Sequence, residues 1–471
     1  MRKTKIVATV GPACESEDQL KALARAGVNV FRLNFSHGTS ENKREVTARI
    51  RKLNEELGSH IAILADLQGP KIRLRDVEEG ASLTPGDTFE LTTEPLVGNS
   101  QRASITYESF ARDVKPGERI LMDDGKLVVE VVNTNQRDTV TTRVVYGGPL
   151  KSKKGVNLPN TKISLPSLTD KDRADLEVAV ELKVSWIGLS FVRSAEDVIE
   201  LKRLLKERGS EARVCAKIEK PEAIADIDAI IEATDAIMVA RGDLGVEVPI
   251  QEVPVLQKRI VQKCLDASTP VIIATQMMES MIESQSPTRA EVNDVATAVM
   301  DSADAVMLSG ETSVGEFPVR VVEVMHKIID SVEATYPLPE CPPLKEGEAH
   351  RHVTDGICQT AAALADTVDA KGILCMTQSG YAARIISSRR SKADIFAFTA
   401  NREILDTLSL LRGVRAFYYD GYESTDATMS DIQGLLKSEG YVENGERVVI
   451  TASMPIGAKG MTNALKVSTV D

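Results

Sequence analysis

Eight short runs rich in β-branched residues, most of them followed by an amphipathic helical pattern, limit most strongly what this chain can become. They fall at Lys5–Val10, Val28–Asn34, Ile61–Asp66, Ser185–Phe191, Arg213–Glu219, Ala236–Arg241, Val271–Thr275 and Ala305–Ser309. Alternating strands and helices favour parallel pairing, because a crossover helix carries the chain back to begin the next strand beside the last. Eight such units predict a (β/α)8 barrel, an α/β fold whose active site lies at the C-terminal ends of the strands. Helical patterns such as Gln251–Ala267 and Arg289–Met300 supply the outer ring.

The rhythm breaks once. From Asp66 to about Pro166 it becomes period-two alternation, punctuated by turns such as Thr84-Pro85-Gly86-Asp87, Lys115-Pro116-Gly117-Glu118 and Asp123-Asp124-Gly125-Lys126. This predicts a small all-β domain, a β-barrel lid over residues 69–165, inserted after the third barrel strand. The catalytic barrel then comprises residues 1–68 and 166–336. Pro337, Pro339, Pro342 and Pro343 mark a linker. Beyond it, residues 345–471 carry a second α/β rhythm, with helical Asp355–Ala365 and strands at Gly372–Met376, Ile395–Phe398, Ala416–Tyr419 and Arg447–Thr451. A doubly wound C-terminal domain is expected. A chain of 471 residues has room for these three units.

The charge balance narrows the partners. With 57 Lys and Arg against 69 Asp and Glu, the net charge is −12, which argues against nonspecific binding to nucleic acid or anionic membranes. A local basic pocket can still hold a phosphorylated small molecule. No apolar stretch approaches the roughly 20 residues that span a bilayer, and Gly11 and Pro12 cut the N-terminal apolar run too short for a signal peptide. Cys14, Cys215, Cys264, Cys341, Cys358 and Cys375 are scattered without a CxxC pair, as in a cytoplasmic protein with reduced thiols and no zinc.

Polar residues at the strand ends carry the chemistry. The second strand runs into Arg32-Leu33-Asn34-Phe35-Ser36-His37-Gly38, the third ends on Asp66, and Arg73 follows at the start of the insertion. Lys217 and Glu219 share one face of the fifth strand by period two. The sixth ends Arg241-Gly242-Asp243, the seventh Ala274-Thr275-Gln276, and the eighth Ser309-Gly310-Glu311-Thr312. Glu219 and Asp243 are the hard oxygen ligands that Mg²⁺ takes. Arg32, Arg73 and Lys217 would surround a phosphoryl group with fixed positive charge. Cys215 reads as a small packing residue and Trp186 as core.

Longer segments then match a family. Arg32–Gly38, Gly155-Val156-Asn157-Leu158-Pro159, Lys217-Ile218-Glu219, Met238–Glu247, Ala274–Met278, Pro287–Glu291 and Asp304–Glu311 resemble, in order, the signature segments of pyruvate kinase. The resemblance covers essentially the whole chain. It implies transfer of the phosphoryl group of phosphoenolpyruvate to ADP, giving pyruvate and ATP, the last step of glycolysis. By the family pattern Lys217 steadies the migrating phosphoryl group and the enolate. Glu219 and Asp243 hold Mg²⁺, for which Mn²⁺ can substitute. Arg32 contacts the phosphoryl group, and Gly242 and Thr275 the carboxylate end of the substrate. His37, Arg73 and Lys154 are the nucleotide-side contacts, and Ser309 and Glu311 support protonation of enolpyruvate.

The family's K⁺ site maps to Asn34, Ser36, Asp66 and the Leu67 carbonyl. Many members carry glutamate where this chain has Lys71, an ammonium that can stand in for K⁺, so no K⁺ requirement is expected. The resemblance also implies a homotetramer, and a phosphorylated allosteric effector at Thr377, Ser379, Gly380 and Tyr381, with Arg384, Arg389 and Arg390 adding charge nearby. Two other readings stand beside it: a Mg²⁺-dependent lyase or aldolase that forms a pyruvate enolate, and a non-catalytic metabolite sensor.

Overall fold

Each of the eight β-branched runs forms a parallel strand, and pairing of the eighth with the first closes the ring. The strands are Lys5–Val10, Val30–Asn34, Ala62–Asp66, Trp186–Leu189, Arg213–Ile218, Ala236–Ala240, Val271–Ala274 and Ala305–Leu308. The computed structural model describes residues 2–159, 161–336, 351–455 and 461–471; the predicted proline linker lies outside them. Strands four to eight stop a residue or two before the sequence pattern does, because the residues at their C-terminal ends have already left the ladder, whereas the second and third begin one or two residues later. Inward-pointing Val7, Val30, Leu64, Trp186, Cys215, Met238 and Ile272 fill the barrel. Their alternates, including Ile6, Phe31, Ile187 and Ile273, meet the helices outside. Helix Ser40–Leu57 is capped by Thr39, and Arg289–Met300 by a capping box of Thr288 and Glu291.

The segment after the third strand folds around its own core, which includes Phe89, Leu91, Ile105, Phe110, Ile120 and Val129. Its main sheet has six strands in the order Val156–Asn157, Arg119–Met122, Leu127–Thr134, Thr139–Tyr146, Thr88–Thr92 and Arg102–Ser104. A short helix, Phe110–Asp113, departs from the all-β expectation. Fully buried Phe110 accounts for it, since the turn drives that ring into the core.

The C-terminal sheet runs Val414–Tyr418, Asp394–Thr399, Gly372–Met376, Arg447–Ala452 and Ala464–Thr469, covered by apolar clusters on both faces. The fifth strand pairs antiparallel and was not read from sequence. As a largely exposed edge it lacks the apolar run that marks a buried parallel strand. The seam with the barrel is polar. Arg390 makes two 3.0 Å bonds to Asp304, and Arg389 donates to Ser268 Oγ at 2.8 Å. Both arginines are buried there, which corrects the expectation that they charge the effector segment.

Candidate active site

Lys217 occupies an inward position of the fifth strand and is only 8% exposed. Its Nζ lies 2.9 Å from Glu219 Oε1, 3.2 Å from Asp66 Oδ1 and 2.7 Å from Ser190 Oγ. Burial alone would lower the ammonium, but the charges of Asp66 and Glu219 outweigh it and hold Lys217 above its ordinary value. Arg32 is fixed beside it, Nε donating to Asp66 Oδ2 at 2.6 Å and Nη1 to Thr9 Oγ1 at 3.0 Å. Burial would raise Asp66, yet Lys217 and Arg32 keep it ionised below the usual carboxylate range. Two cations are thus oriented by one buried carboxylate at a polar cavity.

Glu219 and Asp243 face that cavity from neighbouring strand ends. Burial, and after it the Asp243 charge, push Glu219 upward against the pull of Lys217. A divalent cation between the two carboxylates would relieve that repulsion, and their oxygens are the donors Mg²⁺ prefers. Among the described residues no cluster of three or more His, Cys, Asp or Glu forms a closed metal cage. Two protein carboxylates with room for substrate and water suit a catalytic Mg²⁺.

Gly242 and Thr275 meet each other, the Gly242 amide donating to Thr275 Oγ1 at 2.7 Å. Thr275 sits at φ +67°, a strained left-handed turn that starts the loop after the seventh strand. Arg241, from the same sixth-strand end, locks this loop through Asp294 at 2.6 Å and the Thr275 carbonyl at 2.8 Å. Glu311 is fully buried, and its carboxylate accepts the amides of Met278 at 3.1 Å and Ser309 at 2.7 Å. It therefore shapes the rim, whereas Ser309 Oγ has no hydrogen-bond partner among the described residues.

His37 and Arg73 line the cavity with Lys217. Burial lowers His37, with Arg73 and Lys43 adding to the effect, so it faces the site as a neutral imidazole. Lys154 is not among the lining residues; its ammonium pairs with Asp123 at 2.9 Å within the inserted domain. The four residues expected at a K⁺ site, Asn34, Ser36, Asp66 and Leu67, also line the cavity, together with Lys71. Lys71 points inward, its Nζ 3.8 Å from Asp243 Oδ1. The Asp66 oxygens are already engaged by Arg32 and Lys217, and the Leu67 carbonyl accepts Ser190 Oγ at 2.7 Å.

Sequence reasoning missed a buried link between the inserted domain and the barrel. Glu247 Oε1 accepts Lys220 Nζ at 2.7 Å and Asn157 Nδ2 at 2.8 Å. Lys220 follows Glu219 directly, and Glu247 ends the helix that carries Asp243. Asn157 and Glu247 each lie inside a quoted signature segment, but nothing in the pattern paired them. Asn157→Ala is expected to raise the KM for ADP severalfold with a smaller change in kcat, because the inserted domain loses an anchor to the barrel. Steady-state kinetics at saturating phosphoenolpyruvate checks this; an unchanged KM assigns the link to stability alone.

In the C-terminal domain, Thr377 Oγ1 accepts the Gly380 amide at 3.0 Å, Gly380 turns at φ +79°, and helix Tyr381–Ser388 begins. Ser379 and Tyr381 line a separate cavity, shared with the barrel.

Fixed positive charge braced by carboxylates at the C-terminal rim of a parallel barrel is the equipment of an enzyme that moves phosphoryl groups between small metabolites. Comparison with known proteins gives the particular kind. Residues 1–322 match the family model "Pyruvate kinase, barrel domain" and residues 355–468 the model "Pyruvate kinase, alpha/beta domain". Pyruvate kinase from Geobacillus stearothermophilus is 42% identical over 472 residues, covering 100% of this chain and 80% of that protein. The Mycobacterium tuberculosis pyruvate kinase is 42% identical, covering 99% of this chain and 98% of its own length. The crystal structure of a pyruvate kinase from Cryptosporidium parvum superposes with a TM-score of 0.92 at 34% identity, over 100% of this chain and 96% of that one. The chain belongs to the pyruvate kinase family, phosphotransferases that make pyruvate and ATP from phosphoenolpyruvate and ADP and generally need Mg²⁺ and K⁺.

Proposed function

We propose that the Lys217 cluster is the centre of phosphoryl transfer in this chain. The observation that carries the reading is the buried ammonium held between Asp66 and Glu219, with Arg32 braced by the same aspartate. Arg32 binds the phosphoryl group of phosphoenolpyruvate, and Lys217 meets the charge that develops on the transferring group and on the enolate. Glu219 and Asp243 hold Mg²⁺, or Mn²⁺ in its place, which when bound supplies positive charge at the substrate oxygens. Gly242 and Thr275 position the substrate carboxylate. His37 and Arg73 form the nucleotide side, to which Lys154 contributes when the lid closes. Ser309 and water deliver the proton to enolpyruvate, with Glu311 holding the Ser309 backbone in place. An assay coupling phosphoenolpyruvate-dependent ADP phosphorylation to pyruvate formation tests the reading. Pyruvate formed without ADP would indicate a lyase; phosphoenolpyruvate bound without turnover would indicate a sensor.

Lys71 supplies the charge that K⁺ brings in many relatives. An ammonium would repel a K⁺ at 4 Å by about 4 kcal/mol at an effective dielectric of 20. Full activity without K⁺ is expected, and a K⁺ requirement is expected to appear in Lys71→Glu. Activity measured in KCl and in tetramethylammonium chloride at equal ionic strength decides it. Strong K⁺ activation of the unmodified enzyme would sink the idea.

The same reading makes the protein a cytoplasmic homotetramer whose affinity for phosphoenolpyruvate responds to a phosphorylated effector at Thr377, Ser379, Gly380 and Tyr381. Exposed Ile250, Val255 and Val314 are apolar surface of the kind that subunit contacts cover. Among the described residues no helix is long and apolar enough to cross a membrane.

A further inference from the structure

The two carboxylates that face the catalytic cavity stand on separate elements, and each element carries one member of a buried ion pair. Lys220 follows Glu219 directly, and Glu247 lies four residues beyond Asp243, on the same face of helix Arg241–Glu247. Lys220 Nζ meets Glu247 Oε1 at 2.7 Å, and both residues are buried. This contact lies wholly within the barrel. It closes a loop that runs from Glu219 through Lys220 and Glu247 to Asp243.

Each arm of that loop is stiff. Lys220 is extended, at φ −124° and ψ 147°, and Pro221 after it disfavours a helical backbone there. Its ammonium stands 5.9 Å from the centre of the Phe191 ring, and the Phe191 amide donates to Glu219 Oε2 at 2.7 Å. The helix is only seven residues long, too short to hold itself, so its anchors decide where Asp243 sits. Arg241 fastens the first end to Asp294 at 2.6 Å. Glu247 fastens the last end, and its anchor runs to the strand end that bears the other carboxylate.

Stability is a poor account of this pair. The cost of desolvating two charges roughly cancels their attraction, and apolar residues of similar volume often stabilise as well or better. A carboxylate at the C-terminus of a helix is also disfavoured by the helix dipole. Both donors, Lys220 and Asn157, converge on Oε1, while Oε2 has no hydrogen-bond partner among the described residues. What a pair of this geometry does supply is a fixed separation between the segments that carry it.

We propose that Lys220–Glu247 is a spacer that sets the separation of the Glu219 and Asp243 carboxylates, and with it the size of cation the site accepts. Both are positioning residues, acting through the carboxylates beside them. The spacer rests on the reading of Glu219 and Asp243 as the metal ligands. Mg²⁺ requires near-octahedral oxygens at about 2.0–2.1 Å, whereas Ca²⁺ accepts about 2.3–2.6 Å in flexible arrangements. Loosened carboxylates therefore lose Mg²⁺ before they lose Ca²⁺.

Mn²⁺ binding to the full chain without substrates, followed by electron paramagnetic resonance and competed with Mg²⁺ or Ca²⁺, tests the spacer. Glu247→Gln is expected to weaken Mg²⁺ by about tenfold or more, the loss typical for a residue that supports metal ligands. Ca²⁺ should weaken less, so the preference for Mg²⁺ over Ca²⁺ falls severalfold. Glu247→Gln leaves Lys220 buried and unpaired, so the double variant Lys220→Met/Glu247→Leu is its companion. With both charges gone it should melt close to wild type and still show the lost preference. A wild-type preference in the double variant, at any melting temperature, overturns the spacer, and so does equal weakening of Mg²⁺ and Ca²⁺ in both variants. The ligands are checked in the same titration. If Mn²⁺ binding survives Glu219→Ala and Asp243→Ala, the metal reading fails and the spacer with it. If those changes abolish binding while the double variant keeps the wild-type preference, the spacer alone fails.

Discussion

Lys217→Met is expected to lower kcat by at least a hundredfold to a thousandfold, the range reported for removing one preorganised donor from a developing negative charge. The KM for phosphoenolpyruvate should change far less, because Arg32 and the metal carboxylates still hold the ground state. The structure adds a second expectation. Methionine would leave Asp66 and Glu219, both 1% exposed, without the ammonium between them. Breaking a buried ion pair from one side typically costs about 3–5 kcal/mol, so the variant should also melt earlier. Lys217→Arg separates the two effects, since it restores charge with the wrong shape; it should recover more of the melting temperature than of kcat. A folded Lys217→Met enzyme with wild-type kcat would remove this residue from the mechanism.

Asp243→Ala and Glu219→Ala should each raise the Mg²⁺ concentration for half-maximal activity by at least about tenfold to a hundredfold, the loss typical even for a residue that only supports a metal ligand. The two variants should differ otherwise. Among the described residues the Asp243 side chain makes one loose ion pair, to Lys71 at 3.8 Å, so its replacement should act mainly on the metal. Glu219 also accepts the Phe191 amide at 2.7 Å and pairs with Lys217, so its loss should lower kcat and stability as well. Mg²⁺ titrations that overlay the wild-type curve would place the metal elsewhere.

Much of this was legible before any coordinates, for a definite reason. A parallel barrel writes itself into sequence as buried apolar runs, and its polar chemistry must appear where those runs stop. Arg32, Asp66, Lys217, Glu219 and Asp243 could therefore be named from position alone, and the structure brings them to one cavity. What could not be read depends on contacts between distant segments. Lys154 turns to Asp123 within the inserted domain, and Arg390 is spent on Asp304 across the seam; neither partner is signalled by local pattern. The Asn157–Glu247–Lys220 link was missed for the same reason, its members lying 27 and 90 residues apart in sequence. The last strand escaped because an exposed edge carries little periodicity.

The five cysteines among the described residues, finally, make the molecule its own reporter of motion. Cys14, Cys215 and Cys264 are sealed in the barrel and Cys358 and Cys375 in the C-terminal domain, their thiols all pushed up by burial, while residues 69–165 contain none. A thiol reagent can reach these five only through transient opening, so their labelling rates measure how often each domain breathes. Movement of the cysteine-free inserted domain as a unit would leave that clock untouched. The same burial shields these thiols from oxidants: peroxide must wait for the fold to open before it can reach any of the five sulfurs.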